Sequence, residues 1–268
     1  MKKSAYMRQS NALLFSAERY DNTDVECEVH LHPEMQIILV TEGVLDLLIE
    51  GKEYEISPGL GVFIPAFAPH KFYNRLPNKN LVMMFSKALA PAFSAFLQTH
   101  VPICHTFTPS DISLALVDSI LPLAQNTVDL VSAEAVVAPL CKDICQSAQF
   151  KKGEPADQNC TLQILEYINA HFQEELTLQT VARAVGVHPV TVSKLFSKRT
   201  GTGFSTHLQY QRCAYGARLL LTRKDSITQI AFDCGFGSVR SFNRAFLSIY
   251  GKTPSQYRSE QWRIKLLD

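Results

Sequence analysis

Arg240, Asn243 and Arg244 are spaced so that a helix would carry all three side chains on one face. An arginine fork can donate to O6 and N7 of guanine, and an asparagine can pair with adenine. An exposed helix of this kind suits the DNA major groove. Val190, Ser193 and Lys194 hold the equivalent places about fifty residues earlier. His30, His32, Gln36 and His70 are further polar candidates, if the fold brings them together. Three imidazoles and an amide oxygen can hold a divalent ion such as Zn, Fe, Mn or Ni. They can equally hydrogen-bond a small organic effector or one another. Taken alone, the first set also fits a solvated amphipathic helix of any small bundle.

The elements that must position these residues are written in the apolar spacing. Ile227, Ile230, Ala231 and Cys234 form the stripe of a buried helix, Gly235 permits a sharp turn, and Ser238 can cap the helix that follows. That helix has its own inner stripe of Phe242, Ala245, Phe246 and Ile249. The pattern recurs upstream: Leu178, Val181, Ala182 and Val185, then Gly186, then Val192, Leu195 and Phe196. Two helix-turn-helix units in tandem would set recognition helices in successive major grooves, about 34 Å apart. Ser226 to Gln229 and Thr253 to Gln256 read as capping boxes, the latter with Pro254 at the first helical position.

The run IAxxxGFxSxxxFxRxFxxxxGxTPxxYR, from Ile230 to Arg258, resembles the signature of the AraC/XylS transcriptional regulators. The likeness spans roughly residues 160–262, including Leu176-Thr177-Leu178 and the segment from Arg212 through Ala217-Arg218-Leu219-Leu220. It implies seven helices, with two helix-turn-helix units bridged by one long helix. DNA-reading positions would be Val190, Ser193 and Lys194 in the first unit and Ser238, Arg240, Asn243 and Arg244 in the second. Three departures stand out. His188 precedes Pro189 where a small capping residue is usual, which predicts a weaker cap. Gly216 inside the connecting helix should cost about 1 kcal/mol relative to alanine. Val190 offers only apolar contact, so the second unit should carry more of the hydrogen-bonded readout.

Residues 25–85 alternate apolar and polar side chains with closely spaced turns, as a β-barrel or sandwich would. Gln36–Val40, Leu45–Ile49 and Gly61–Ile64 are the clearest strands, with Glu42-Gly43 and Glu50-Gly51 at turns. His30-x-His32-x3-Gln36-x6-Gly43 resembles the first cupin motif, with Gln36 in place of glutamate. Gly59-x5-Pro65-x-Phe67-x2-His70-x3-Asn74 resembles the second, with Phe67 in place of glycine. The resemblance implies a jelly-roll sensor in which His30, His32, Gln36 and His70 face one cavity. Phe63, Phe67 and Phe72 would be its walls. Losing the glutamate removes a negative charge that would help hold a divalent ion. The acidic stretch from Asp21 to Glu34 reads as solvated surface. Helices are expected at 90–100, 110–125 and 130–149, punctuated by Pro102, Pro109 and Pro122. Their inner stripes would be Ile112, Ala115, Leu116, Ser119 and Ile120, and Val136, Val137, Leu140, Cys141, Ile144 and Cys145. One such helix could mediate dimerisation or simply pack on the barrel.

Net charge is +1, but it is unevenly placed. Residues 159–268 hold 14 Lys and Arg against 7 Asp and Glu, leaving 12 against 18 for residues 1–158. Such asymmetry is expected when one domain faces phosphates. The start of the chain has no apolar signal segment, and no run is long enough to span a membrane, so a cytoplasmic protein is expected. Seven scattered cysteines, including Cys141 and Cys145, fit small buried side chains in a reducing compartment better than disulfides or a metal.

The expectation is therefore an α+β protein of two domains. Residues 1–150 would form a cupin-like β jelly-roll with trailing helices that binds an effector and dimerises. Residues 151–160 would be a polar linker. Residues 161–268 would form an all-α double helix-turn-helix domain that binds double-stranded DNA. No residue is assigned a catalytic role. Expected partners are DNA, a small-molecule effector, a second copy in a homodimer and, for an activator, RNA polymerase. A divalent metal in the barrel is one cofactor option. The rival readings are a metal-dependent cupin enzyme, such as a dioxygenase or isomerase, fused to a DNA module, and a regulator whose barrel only dimerises.

Overall fold

The computed structural model describes residues 14–22, 29–73, 76–120, 128–153, 155–200 and 203–265. The chain divides between Asn159 and Cys160 into a β-rich unit and a helical unit, each with its own core.

The first unit contains β1 (Phe15–Asn22), β2 (Met35–Gly43), β3 (Leu45–Ile49), β4 (Lys52–Ile56), β5 (Gly61–Ile64), β6 (His70–Phe72) and β7 (Asn78–Phe85). These are followed by α1 (Pro91–Leu97), β8 (His100–Pro102), β9 (Thr106–Phe107), α2 (Asp111–Ile120), α3 (Leu130–Ser147) and β10 (Phe150–Lys152). A five-stranded antiparallel sheet runs β1-β7-β2-β5-β9, a three-stranded one β4-β3-β6, and β10 pairs with β8. Alternation along the strands gives the larger sheet two buried faces. Ile38, Val40, Val62 and Ile64 share a core with Leu45, Leu47, Ile49 and Ile56 of the smaller sheet. Ile37, Leu39, Phe63, Leu81, Met83 and Phe85 pack instead on the helices. Burial on both sides is why β2 reads as a continuous apolar run.

Helix α3 buries Val136, Val137, Leu140, Cys141 and Ile144 as its spacing predicts, while Cys145 is exposed. Helix α2 corrects the sequence reading. It buries Ser113 and Val117, whereas Ile112 is 71% exposed and Ala115 and Ser119 face solvent. The cause is a buried carboxylate on α3. Asp143 Oδ2 accepts from the Ser110 backbone N–H at 2.8 Å, the Ser110 hydroxyl at 3.0 Å and the Ser113 hydroxyl at 2.5 Å. An uncompensated buried charge is costly, so these bonds fix which side of α2 turns inward. The described helices are also shorter than expected. Residues 100–102 form a strand, and residues 121–125 of the expected second helix lie outside the described residues.

The second unit is helical: α4 (Pro155–His171), α5 (Leu178–Val185), α6 (Pro189–Thr200), α7 (Phe204–Thr222), α8 (Ile227–Asp233), α9 (Val239–Tyr250) and α10 (Pro254–Lys265). The stretch anticipated as a linker carries regular structure, in β10 and in the opening of α4. Helices α5 and α6 form one helix-turn-helix and α8 and α9 the other, joined by α7. Gly216 has a packing reason the sequence did not reveal. A Cβ there would come within 2.9 Å of the Phe242 ring and 3.2 Å of Cys234 Sγ, so the glycine lets α9 approach α7. Thr253 and Gln256 form the full capping box. Ser226 accepts from the Gln229 N–H, but the Gln229 side chain bonds Asp233, so only half of that box forms. A complete box at Thr177 and Thr180 went unread in the sequence.

Candidate functional site

In the β unit, the His30 N–H donates to His70 O at 3.0 Å and the His70 N–H to His30 O at 2.9 Å. This isolated antiparallel bridge joins the two cupin-like motifs. The His30 and His70 ring centroids are 4.2 Å apart, and those of His32 and His70 are 5.0 Å apart, edge to face. Metal-ligating atoms of His30, His32 and His70 all lie within 4.8 Å of one another, and all three residues are buried. Gln36 joins them from β2, on the face it shares with Ile38, and its Oε1 is 3.0 Å from His32 Nε2.

Backbone carbonyls set the tautomers. His32 Nδ1 lies 3.0 Å from Glu34 O and His70 Nδ1 lies 2.8 Å from Ala68 O. A carbonyl can only accept, so each Nδ1 carries the proton and each Nε2 carries a lone pair. His70 Nε2 is buried without a hydrogen-bond partner. His32 Nε2 faces Gln36 Oε1, so two electron-pair donors meet. Either the amide turns its NH2 inward or a cation or proton lies between them. Burial, then the neighbouring His30, lowers the pKa of His32 to about 3 and places that of His70 well below its usual range. Both imidazoles are therefore neutral, the form that binds metals. The donor set fits a divalent metal.

Glu34 departs from the solvated surface expected of it. It is 6% exposed, its Oε2 has no hydrogen-bond partner and lies 3.5 Å from His32 Nδ1, and burial raises its pKa to about 7. Phe67, the residue in the usual glycine place, has φ +56° and donates its N–H to His32 O at 2.8 Å. A left-handed backbone is unusual for a bulky residue, and the strain falls beside the histidines. Phe72 lies beside His30 and His70, at 6.2 and 5.6 Å. Phe63 does not join this wall, because its ring packs on Phe93 of α1 at 5.1 Å. Asn74 lies outside the described residues. Sequence reasoning missed His105, which is buried with Nδ1 2.9 Å from Phe63 O and Nε2 3.8 Å from Glu50 Oε2. It belongs to no spaced motif, so no sequence signal marked it.

In the helical unit, α9 buries Phe242, Ala245 and Phe246 and exposes Arg240, Asn243 and Arg244. Ser238 caps it, accepting from the Ser241 N–H at 3.2 Å. Helix α6 buries Val192 and Phe196 and exposes Val190, Ser193 and Lys194. His188 caps α6 through its ring, with Nδ1 accepting from the Val190 N–H at 3.3 Å. Among the described residues no helix is long and apolar enough to cross a membrane.

A cupin-like β domain joined to two helix-turn-helix units with outward polar helices defines a DNA-binding transcription regulator. Comparison with known proteins makes the assignment narrower. Residues 181–260 match the helix-turn-helix domain family and residues 18–85 the cupin domain family. The chain is 24% identical over 237 residues to the uncharacterized HTH-type transcriptional regulator YobQ of Bacillus subtilis, covering 88% of this chain and 90% of that one. It is also 24% identical over 249 residues to the probable transcriptional regulator LumQ of Photobacterium leiognathi, covering 90% and 95%. The crystal structure of unsaturated fatty acid bound ToxT from Vibrio cholerae shares the fold. Its TM-score is 0.63 at 14% identity, over 93% of this chain and 96% of that one. The chain carries a helix-turn-helix domain and a cupin domain in the order that the AraC/XylS resemblance implies, and it is similar along most of its length to HTH-type transcriptional regulators.

Proposed function

We propose that this regulator is gated by a small polar effector bound at His30, His32, Gln36 and His70, and that Val190, Ser193, Lys194, Ser238, Arg240, Asn243 and Arg244 contact its DNA. The observation that carries the sensor reading is the buried, unpartnered Nε2 of His70 beside two further buried imidazoles, those of His30 and His32. A buried polar atom without a partner costs on the order of 1–3 kcal/mol, which a ligand at that atom would offset. The fatty acid held by ToxT is precedent for an effector on this fold, although the cluster here is more polar than a fatty acid requires.

A divalent metal is the second reading, supported by the facing lone pairs of His32 and Gln36. His30, His32, His70 and Gln36 would hold it, and it would supply a Lewis acid for oxygen ligands of the effector. The chain's own residues keep His32 and His70 neutral by burial and fix their tautomers through Glu34 O and Ala68 O. We assign the protein to regulation rather than catalysis, in the cytoplasm. Residues 1–150 would serve sensing and homodimerisation, and residues 161–268 DNA binding, with 151–160 between them. RNA polymerase would be a partner if it activates.

The test is a His30/His32/His70 triple alanine variant in a reporter strain, together with elemental analysis of untagged protein. Loss of the inducer response with retained DNA binding supports the sensor site. A folded variant with unaltered sensitivity overturns it. Stoichiometric metal separates the two readings, and turnover of a small substrate would reinstate the enzyme.

A further inference from the structure

The two helix-turn-helix units are tied together by a contact separate from their reading faces. Helix α4 ends at His171, leaving carbonyls with no partner inside the helix. Arg212 of α7 takes two of the carbonyls just beyond this end. Its Nε donates to Phe172 O at 2.6 Å and its guanidinium NH2 to Glu174 O at 2.7 Å. Gln211 on the same helix donates to Asn169 Oδ1 at 2.7 Å. The same short segment then reaches the turn of the second unit, where the Gln173 side chain donates to Asp233 O at 2.8 Å. Gly235, at φ +85°, sits so close that a Cβ on it would fall 2.6 Å from Gln173 O. The Arg212 guanidinium also covers the ring of buried Phe236 at 5.9 Å. Three residues after Glu174, Thr177 caps α5, the first helix of the first unit.

We propose that Arg212, Gln173 and Gly235 form a spacing lock. The lock holds the entry to the first helix-turn-helix against the turn of the second, and so fixes the separation and phase of α6 and α9. α7 packs on α6 of one unit and on α8 and α9 of the other, and a single shared helix leaves room for hinge motion. The lock adds a second attachment on the α4 side, and two attachments remove a hinge. The protein would then read the distance between half-sites as well as their bases. One base pair of added DNA shifts the second half-site by about 3.4 Å and turns it by roughly 34°, more than a fixed pair of helices can follow. The inference rests on α6 and α9 being the reading helices.

The test uses the full chain on an operator obtained by selection from random duplexes, with one or two base pairs inserted or removed between the half-sites. Wild-type protein should lose about tenfold in affinity per base pair of altered spacing, comparable to a base mismatch. The Gln173→Ala/Arg212→Ala chain should lose less than about threefold, while its affinity for an isolated half-site stays within about twofold of wild type. Should the double variant fold poorly, seen as an equal loss on every duplex, Gln173→Ala alone decides, since it removes one bond of an exposed side chain. A wild-type spacing profile in the folded variant overturns the lock. Wild-type protein indifferent to spacing would remove the tandem-reader premise, and the lock with it.

Discussion

The β unit hides its functional side chains and the helical unit displays them. His30, His32, Glu34, Gln36 and His70 are all 7% exposed or less, whereas Arg240, Asn243 and Arg244 project from α9 into solvent. The difference follows from what each partner supplies. DNA brings its own dense array of acceptors, so reading groups can remain hydrated until they bind. A small effector has few groups, and it is held only where protein polar atoms are already desolvated and aimed. The sensor therefore buries its functional polar groups in the folded state and the reader exposes its own. Substitutions in the reader should change binding without changing stability, and substitutions or pH changes at the sensor should change both.

The largest effect should come from the core beneath the reader. Phe246 is fully buried against Phe242, Tyr250 and Tyr257, so Phe246→Ala should cost about 3–5 kcal/mol and melt the second helix-turn-helix. Arg240→Ala, on the opposite face, should stay within about 0.5 kcal/mol in urea unfolding. Equal losses would mean that the inner and outer faces of α9 are wrongly assigned.

Next comes acid sensitivity, which should be larger in the β unit than in the helical unit. Burial lowers the pKa of two histidines in the first and, among the described histidines, of one in the second, His207 of α7, to about 4. Below the ordinary histidine pKa of 6.5 the unfolded chain takes up protons that folded His32 refuses until about pH 3, and folded His70 refuses likewise. Each such group removes about 1.4 kcal/mol per pH unit as pH falls below 6.5. Glu34 works the other way. Its folded pKa near 7 lies above the ordinary 4.5, so its contribution is present in acid and is lost as pH rises through 7. Glu34→Gln should therefore steepen the acid loss. Hydrogen exchange resolved to β2 and β5 between pH 4.5 and 7 checks this, and a pH-independent profile would remove the neutral-imidazole site.

These contrasts also explain how much of the molecule the sequence disclosed. The inner and outer faces of α9 were legible because a 3.6-residue period puts Phe242, Ala245 and Phe246 on one side of the helix and Arg240, Asn243 and Arg244 on the other. The histidine cluster was legible only through motif spacing, since its members meet across a bridge between distant segments. Where polar groups are buried, periodicity misleads. Ile112 looked inward and is exposed, because Asp143 draws Ser113 to the inside. Glu34 looked solvated and is buried beside His32. His105 comes close to Glu50 through tertiary packing that no local pattern encodes. Hydrophobic spacing reports the side of an element that avoids water, and it is silent on the polar groups that folding desolvates.

Within the reader, Arg244→Ala should cost roughly 1–3 kcal/mol on the selected operator and relax preference at one base, if its guanidinium pairs with guanine. Thermal stability should be unchanged, since the side chain is exposed. Fluorescence anisotropy on operators carrying each base at that position would show equal affinities for wild type and variant if Arg244 makes no base contact.

The smallest effect distinguishes the two exposed faces from each other. Helix α6 offers Val190, Ser193 and Lys194 where α9 offers Arg240, Asn243 and Arg244, so its hydrogen-bonding capacity toward base edges is lower. Lys194 is a flexible point charge, better suited to a phosphate than to a bidentate base contact. Lys194→Ala should then weaken all duplexes alike and lower the slope of log affinity against log salt by about 1, with no change in base preference. Arg244→Ala should alter preference at one position, whatever it does to the slope. A base-specific loss for Lys194→Ala would make the first unit a reader of equal rank, and the asymmetry between α6 and α9 would then lie in Val190 alone.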